Sequence, residues 1–275
     1  MKKKGTCISF IAPVRGLTIF WSELHTKSLH WRISRWTDGP QRDRELKPLT
    51  DEDKNHHQSI QIPIGSLSLS GDLTIKEGSQ GVVLFAHGSG SGRHSKRNRY
   101  VAKVLQDAGL GTLLFDLLTE DEEVIDEQTR HLRFDIGLLT DRLIAATDWL
   151  FRTYADNSDL KIGYFGASTG AAAALAAAAK RANIIQAIVS RGGRPDLADP
   201  YLGHVKTPTL LIVGGYDTPV IQMNQEAFGK LHQLSAEKGS KKIVIVPEAT
   251  HLFEEPGKLV MVARLASEWF ARFLL

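Results

Sequence analysis

Two hydrophobic periodicities organise this chain of 275 residues. Segments 59–64 and 67–75 alternate apolar and polar side chains at period two, as strands with one solvated face do. Gly65-Ser66 between them predicts the turn of an antiparallel hairpin. Pro63 cannot donate to a ladder and so predicts an edge strand. Further along, 81–86, 112–115, 161–165, 185–189, 209–213 and 242–246 are short, continuously apolar runs. That pattern suits strands buried on both faces of a parallel sheet. Helical stretches are predicted between them, at about 97–109, 134–153, 169–181, 221–235 and 257–274. Strand–helix alternation with right-handed crossovers gives a mostly parallel, doubly wound α/β sheet.

The first 58 residues follow neither pattern. They hold 11 Lys/Arg against 7 Asp/Glu, while the rest of the chain holds 23 against 24, so the formal charge of +3 originates here. Basicity is therefore no sign that the main domain binds nucleic acid. Trp21, Trp31 and Trp36 lie in this segment, and 38–57 is polar and rich in chain breakers. The expected division is a basic, Trp-containing, poorly ordered extension at 1–58 and a globular domain at 59–275. The extension also reads as sequence upstream of a true start. The apolar run near Ile8 is too short for a secretory signal and is broken by Pro13 and Arg15. No apolar run approaches the roughly 20 residues of a membrane span. One cysteine, Cys7, excludes an internal disulfide framework and points to a cytoplasmic setting.

The candidate chemistry centres on Gly166-Ala167-Ser168-Thr169-Gly170, a G-x-S-x-G run between a predicted strand and an alanine-rich predicted helix. A serine on so sharp a turn is presented as a nucleophile, and the flanking glycines relieve crowding that side chains would create. Serine needs a base. In such sheets reactive groups gather at the carboxyl ends of the strands. His251 follows the last predicted strand and is preferred over His87, His94, His131 and His204, its rival reading being a surface loop histidine. Asp217 follows the strand at 209–213 and could orient His251, although beside Thr218-Pro219 it also reads as a helix cap. Glu248 and Glu254 are weaker alternatives. The Gly-rich loop His87–Gly92 could turn backbone amides toward a developing oxyanion, with Ser89 and Thr169 as donors. Its spacing does not fit a phosphate loop, and no set of residues has metal-ligand spacing, so neither cofactor nor metal is expected.

From about residue 59 onward these motifs resemble the α/β-hydrolase fold, and within it the dienelactone-hydrolase-like group. The residues carrying the resemblance are His87-Gly88-Ser89-Gly90, Gly166–Gly170, Gly214-Gly215-Tyr216-Asp217 and Ala249-Thr250-His251-Leu252-Phe253. Dienelactone hydrolase itself uses a cysteine nucleophile, where this chain has Ser168. The resemblance is closer to serine members of the group, some of which occur beside or fused to a phosphoribosyltransferase, which implies a functional link to one. No large insertion separates the later predicted strands, so no large cap domain is expected. The expected activity is that of a serine hydrolase acting on a small or medium ester, thioester or lactone through an acyl-enzyme. The alternatives are an acyltransferase with the same residues, or a non-catalytic protein of this fold that binds a small molecule or partner. Arg93, Arg97, Arg191 and Arg194 stand near the expected mouth, with Arg130 and Arg133 after the strand at 112–115. They could hold a substrate carboxylate or phosphate. Salt bridges to Asp116, Asp121, Asp135 or Asp196 are the favoured explanation of the set. Glu120, Asp121, Glu122, Glu123 and Asp126 form a charged stretch that could act as a small lid.

Overall fold

The structure is a computed structural model that describes residues 57–154 and 160–275, preceded by three two-residue strands. Apart from those strands, the expectations for the N-terminal extension lie outside the described residues. Strands β1 (His57–Ile64) and β2 (Leu67–Thr74) form the expected hairpin, in the register Ile62↔Leu69. Gly65 turns it at φ +60°. β1 lies at the sheet edge, where the missing N–H of Pro63 breaks no inner ladder.

The remaining strands are β3 (Gly81–Ala86), β4 (Gly111–Phe115), β5 (Lys161–Ala167), β6 (Ile185–Arg191), β7 (Thr209–Gly214) and β8 (Lys241–Val246). The sheet order is β8-β7-β6-β5-β3-β4-β2-β1. Its pairings are parallel except β4–β2 and β2–β1. Ser9–Phe10 adds in parallel to the outer edge of β8. Every residue of β3, β4 and β7 is buried, which explains why they read as unbroken apolar runs.

Helices α1 (Lys96–Asp107) and α7 (Lys258–Leu274) cover one face, around Phe85, Phe165, Val189 and Phe270. Helices α3 (Ile136–Thr153), α4 (Thr169–Lys180) and α6 (Thr218–Lys230) cover the other. From β3 the chain runs first to β4 on one side and then back to β5 on the other. The crevice between β3 and β5 is therefore a topological switch point, where α/β sheets hold their ligands.

Two elements depart from the expected pattern. Residues 120–129 form a helix, α2 (Glu120–Thr129), although its only large apolar side chains, Val124 and Ile125, are exposed. Local chemistry holds it. Thr119 and Glu122 close a capping box, and the first turn is wholly acidic against the positive helix end. Helix α6 starts at Thr218, three residues before the expected position, because Pro219 is favoured in a first turn. A short α5 (Asp199–Leu202) completes the described elements between β6 and β7.

Candidate active site

β5 ends at Ala167 and α4 begins at Thr169, leaving Ser168 alone on the turn at φ 50°, ψ −119°. A residue with a side chain holds a positive φ only where its surroundings enforce it. Here the Ser168 amide donates to the Arg191 carbonyl (3.3 Å), and the Ser168 carbonyl accepts from Ala171 and Arg194 (both 3.1 Å). The flanking glycines are required by contact. A Cβ on Gly166 would lie 2.5 Å from Ala171 Cα, and one on Gly170 would run into the carbonyl oxygens of Ala86 and His87. Residues Ala171 to Ala178 of α4 are fully buried, so small side chains let the helix lie against the sheet.

Asp217 and His251 are brought together. His251 Nδ1 lies 2.6 Å from Asp217 Oδ2, and since a carboxylate only accepts, the ring donates from Nδ1 and leaves Nε2 free to act as a base. Asp217 stands at the N-cap position of α6 but makes no side-chain cap bond, so its carboxylate is committed to His251 rather than to the helix. The alternative acids are engaged elsewhere: Glu248 with Lys258 (3.2 Å) and Glu254 with Arg97 (2.5 Å). His251 approaches the elbow across Gly192, whose Cβ position would fall 3.5 Å from the imidazole Nδ1 and Cε1. Gly192 directly follows Arg191, which holds the Ser168 amide. Among the described residues no hydrogen bond joins Ser168 Oγ to His251 Nε2. Such bonds often tighten only when substrate is bound.

Ser89 and Thr169 also meet, in an arrangement that the motif alone did not reveal. The Ser89 amide donates to Thr169 Oγ1 (3.1 Å), so one expected oxyanion donor is occupied by the hydroxyl of the residue that carries the other. Thr169 N is the first amide of α4 and lies at the positive end of the helix dipole. The loop beneath is fixed by His87. Its Nδ1–H donates to Gly88 O (3.0 Å), and its Nε2 accepts the Leu117 amide (3.0 Å), an arrangement available only to the neutral ring. Burial holds its pKa below the ordinary histidine value. His94 and His131 make no contact with the elbow among the described hydrogen bonds.

A cleft of about 960 Å³ opens beside Gly88, Ser89 and Thr169. Asp116, Glu123 and Asp126 are among its lining residues. Arg93 is ion-paired with Asp116, and Arg133 with Asp126. Partial burial, with the Asp116 and Glu127 charges, raises the Glu123 pKa. Arg194 holds Asp196 bidentately (2.9 and 2.7 Å). The expected salt bridges to Asp116 and Asp196 thus account for Arg93 and Arg194. Arg97 shares its charge with Glu254. Arg191 is buried and has no ion pair or side-chain hydrogen bond among the described residues, and burial together with the nearby Arg97 charge pushes its pKa down to about 10.

Fold and site define an α/β-hydrolase without a cap domain over the described strand ends. The dienelactone hydrolase family profile matches residues 71–274, and the chain belongs to that family. A dienelactone hydrolase from Anabaena variabilis is 61% identical, covers 80% of this chain and 98% of its own, and superposes with a TM-score of 0.75. A serine hydrolase without lid from Xanthomonas campestris, 20% identical over 83% of this chain and 98% of its own (TM-score 0.62), shares the fold. Two Mycobacterium tuberculosis relatives, each bearing the name "Putative phosphoribosyl transferase", are 53% identical over 223 residues. That match covers 81% of this chain but 46% of theirs, so the chain spans about half the length of these relatives. Family and neighbours support a hydrolase as the general class. Among the described residues no helix is long and apolar enough to cross a membrane.

Proposed function

We propose that this chain is a serine hydrolase of small or medium esters, thioesters or lactones. The reading rests above all on the 2.6 Å Asp217–His251 bond, taken together with a serine held at positive φ on a strand-to-helix turn. His251 Nε2 takes the Ser168 proton as Oγ attacks the carbonyl. The imidazolium is stabilised by Asp217, the leaving group receives the proton, and water then releases the acyl group by the same base. The Thr169 amide supports the oxyanion. The Ser89 amide joins it once the Thr169 hydroxyl yields the bond it now accepts. A cleft of about 960 Å³ is of the size that holds small and medium ligands.

The phosphoribosyl transferase of the mycobacterial name belongs, in this reading, to the part of those proteins that this chain does not span. A link between the two activities remains part of the proposal, as does a cytoplasmic location. An acyltransferase would use the same residues and differ in excluding water. Hydrolysis of p-nitrophenyl esters and acyl-CoA thioesters by the wild type and by Ser168→Ala tests the reading. Turnover that survives the substitution would remove Ser168 from the mechanism. Acyl transfer to an added alcohol in preference to water would favour the transferase.

A further inference from the structure

A buried amide joins the two halves of the site. Asn224 is 0% exposed on the buried face of α6, in line with Val220, Ala227 and Phe228. Its Nδ2 donates to Val220 O within the helix (2.8 Å) and to Gly193 O in the loop after β6 (3.0 Å). Its Oδ1 is buried and finds no hydrogen-bond partner among the described residues. A buried amide oxygen without a donor is costly, and an apolar side chain would avoid that cost. Stability alone therefore does not favour an asparagine at this position.

The loop that Asn224 reaches is the one that grips the nucleophile. The Arg191 carbonyl accepts from the Ser168 amide (3.3 Å), and the Arg194 amide donates to the Ser168 carbonyl (3.1 Å), so the loop holds both backbone groups of the turn. Gly193 sits between those two grips. It is closely packed, since a Cβ there would lie 2.7 Å from Ala171 Cβ in the first turn of α4. Gly192, one residue earlier, abuts the His251 imidazole. On the other side of the bond, α6 carries Asp217 at its N-cap, seven residues before Asn224 and on the same helix face. One hydrogen bond thus ties the helix that begins at the acid to the loop that holds the serine. We propose that Asn224 is a positioning residue for acylation, fixing Ser168 relative to the Asp217–His251 pair. This rests on the serine-hydrolase reading and adds to it a residue that acts through Gly193.

The test compares the full chain of the wild type with Asn224→Ser and Asn224→Ala. A serine in a helix donates to the carbonyl four residues back, so Asn224→Ser keeps the bond to Val220 but is too short to reach Gly193. Alanine loses both bonds. In both variants kcat for p-nitrophenyl butyrate should fall on the order of ten- to a hundredfold, with KM within about threefold of wild type. Modification of Ser168 by a fluorophosphonate should slow by a similar factor, because it reads the attack of Oγ alone. Melting temperatures are measured on the same preparations, and all rates are taken well below them. A merely structural asparagine would lower the melting temperature and leave the rate per folded molecule unchanged, and that result overturns the proposal. A rate loss in Asn224→Ala that Asn224→Ser does not share also overturns it, because the bond within the helix would then be responsible. Should Asn224→Ala fail to fold, Asn224→Ser decides. Variants as fast as a reactive wild type overturn the positioning role and leave the hydrolase standing. A wild type that neither turns over the ester nor takes the label overturns both.

Discussion

Gly214→Ala tests how closely the two halves of the site are built onto each other. Gly214 ends β7, and its missing side chain faces the loop that carries His251. A Cβ there would lie 2.5 Å from both the Ala249 and the Thr250 carbonyl oxygens, whereas ordinary contact begins at 3.4 Å. Relief requires a separation of about 0.9 Å, taken up by backbone because no flexible side chain is involved. The same loop is tied to the turn after β7 by Tyr216 N–H to Ala249 O (2.9 Å), so the shift is resisted and His251 is levered away from Asp217 and Ser168. Overpacking of this kind costs about 1–3 kcal/mol. For a domain of this size that lowers the melting temperature by roughly 2–4 °C per kcal/mol. A misplacement near 1 Å in a catalytic group costs on the order of a hundredfold in rate. The expected outcome is a folded protein with kcat/KM down about a hundredfold. Calorimetry and ester kinetics on one preparation measure both. Turnover within about twofold of wild type in a variant that melts several degrees lower would refute the reasoning, because the strain would then bypass His251.

Asp217→Asn should reduce kcat by roughly 10³–10⁴-fold through loss of the tautomer and of imidazolium stabilisation. Its melting temperature should stay close to wild type, since Asp217 caps no helix; a large thermal loss would mark a structural residue instead. For His87 the folded pKa lies below the unfolded one, so the unfolded chain binds more protons at low pH. Stability from this residue is therefore complete above about pH 6.5 and is lost as pH falls from there toward the folded value. His87→Gln, which cannot titrate, should start less stable and show a shallower decline in melting temperature between neutral and mildly acidic pH. Identical slopes would mean His87 is not held neutral.

Much of the site was legible because its signals are local or ordered along the chain. The elbow glycines announce a turn that only they can make, and the alanines after them announce close helix packing. Asp217 and His251 each follow a buried strand, so the sheet fixes their meeting place even though 34 residues separate them. Whether Asp217 capped α6 or served His251 was open until the carboxylate's direction was known. The Ser89–Thr169 bond was hidden because it depends on how the Gly-rich loop settles against α4, 80 residues away in sequence. Helix α2 has no apolar stripe to announce it in the sequence, because capping and first-turn charge hold it. The arginines show the limit most clearly. Arg194 finds its carboxylate two residues away, but Arg97 finds Glu254 across 157, and nothing in the sequence marks Arg191 as a buried arginine that finds none among the described residues.

The nucleophile is the central claim, and covalent labelling tests it directly. A fluorophosphonate should modify the wild type once, at Ser168, as read by intact mass and peptide mapping, and Ser168→Ala should remain unmodified. A wild type that fails to react, or an adduct that persists in Ser168→Ala, would contradict the account.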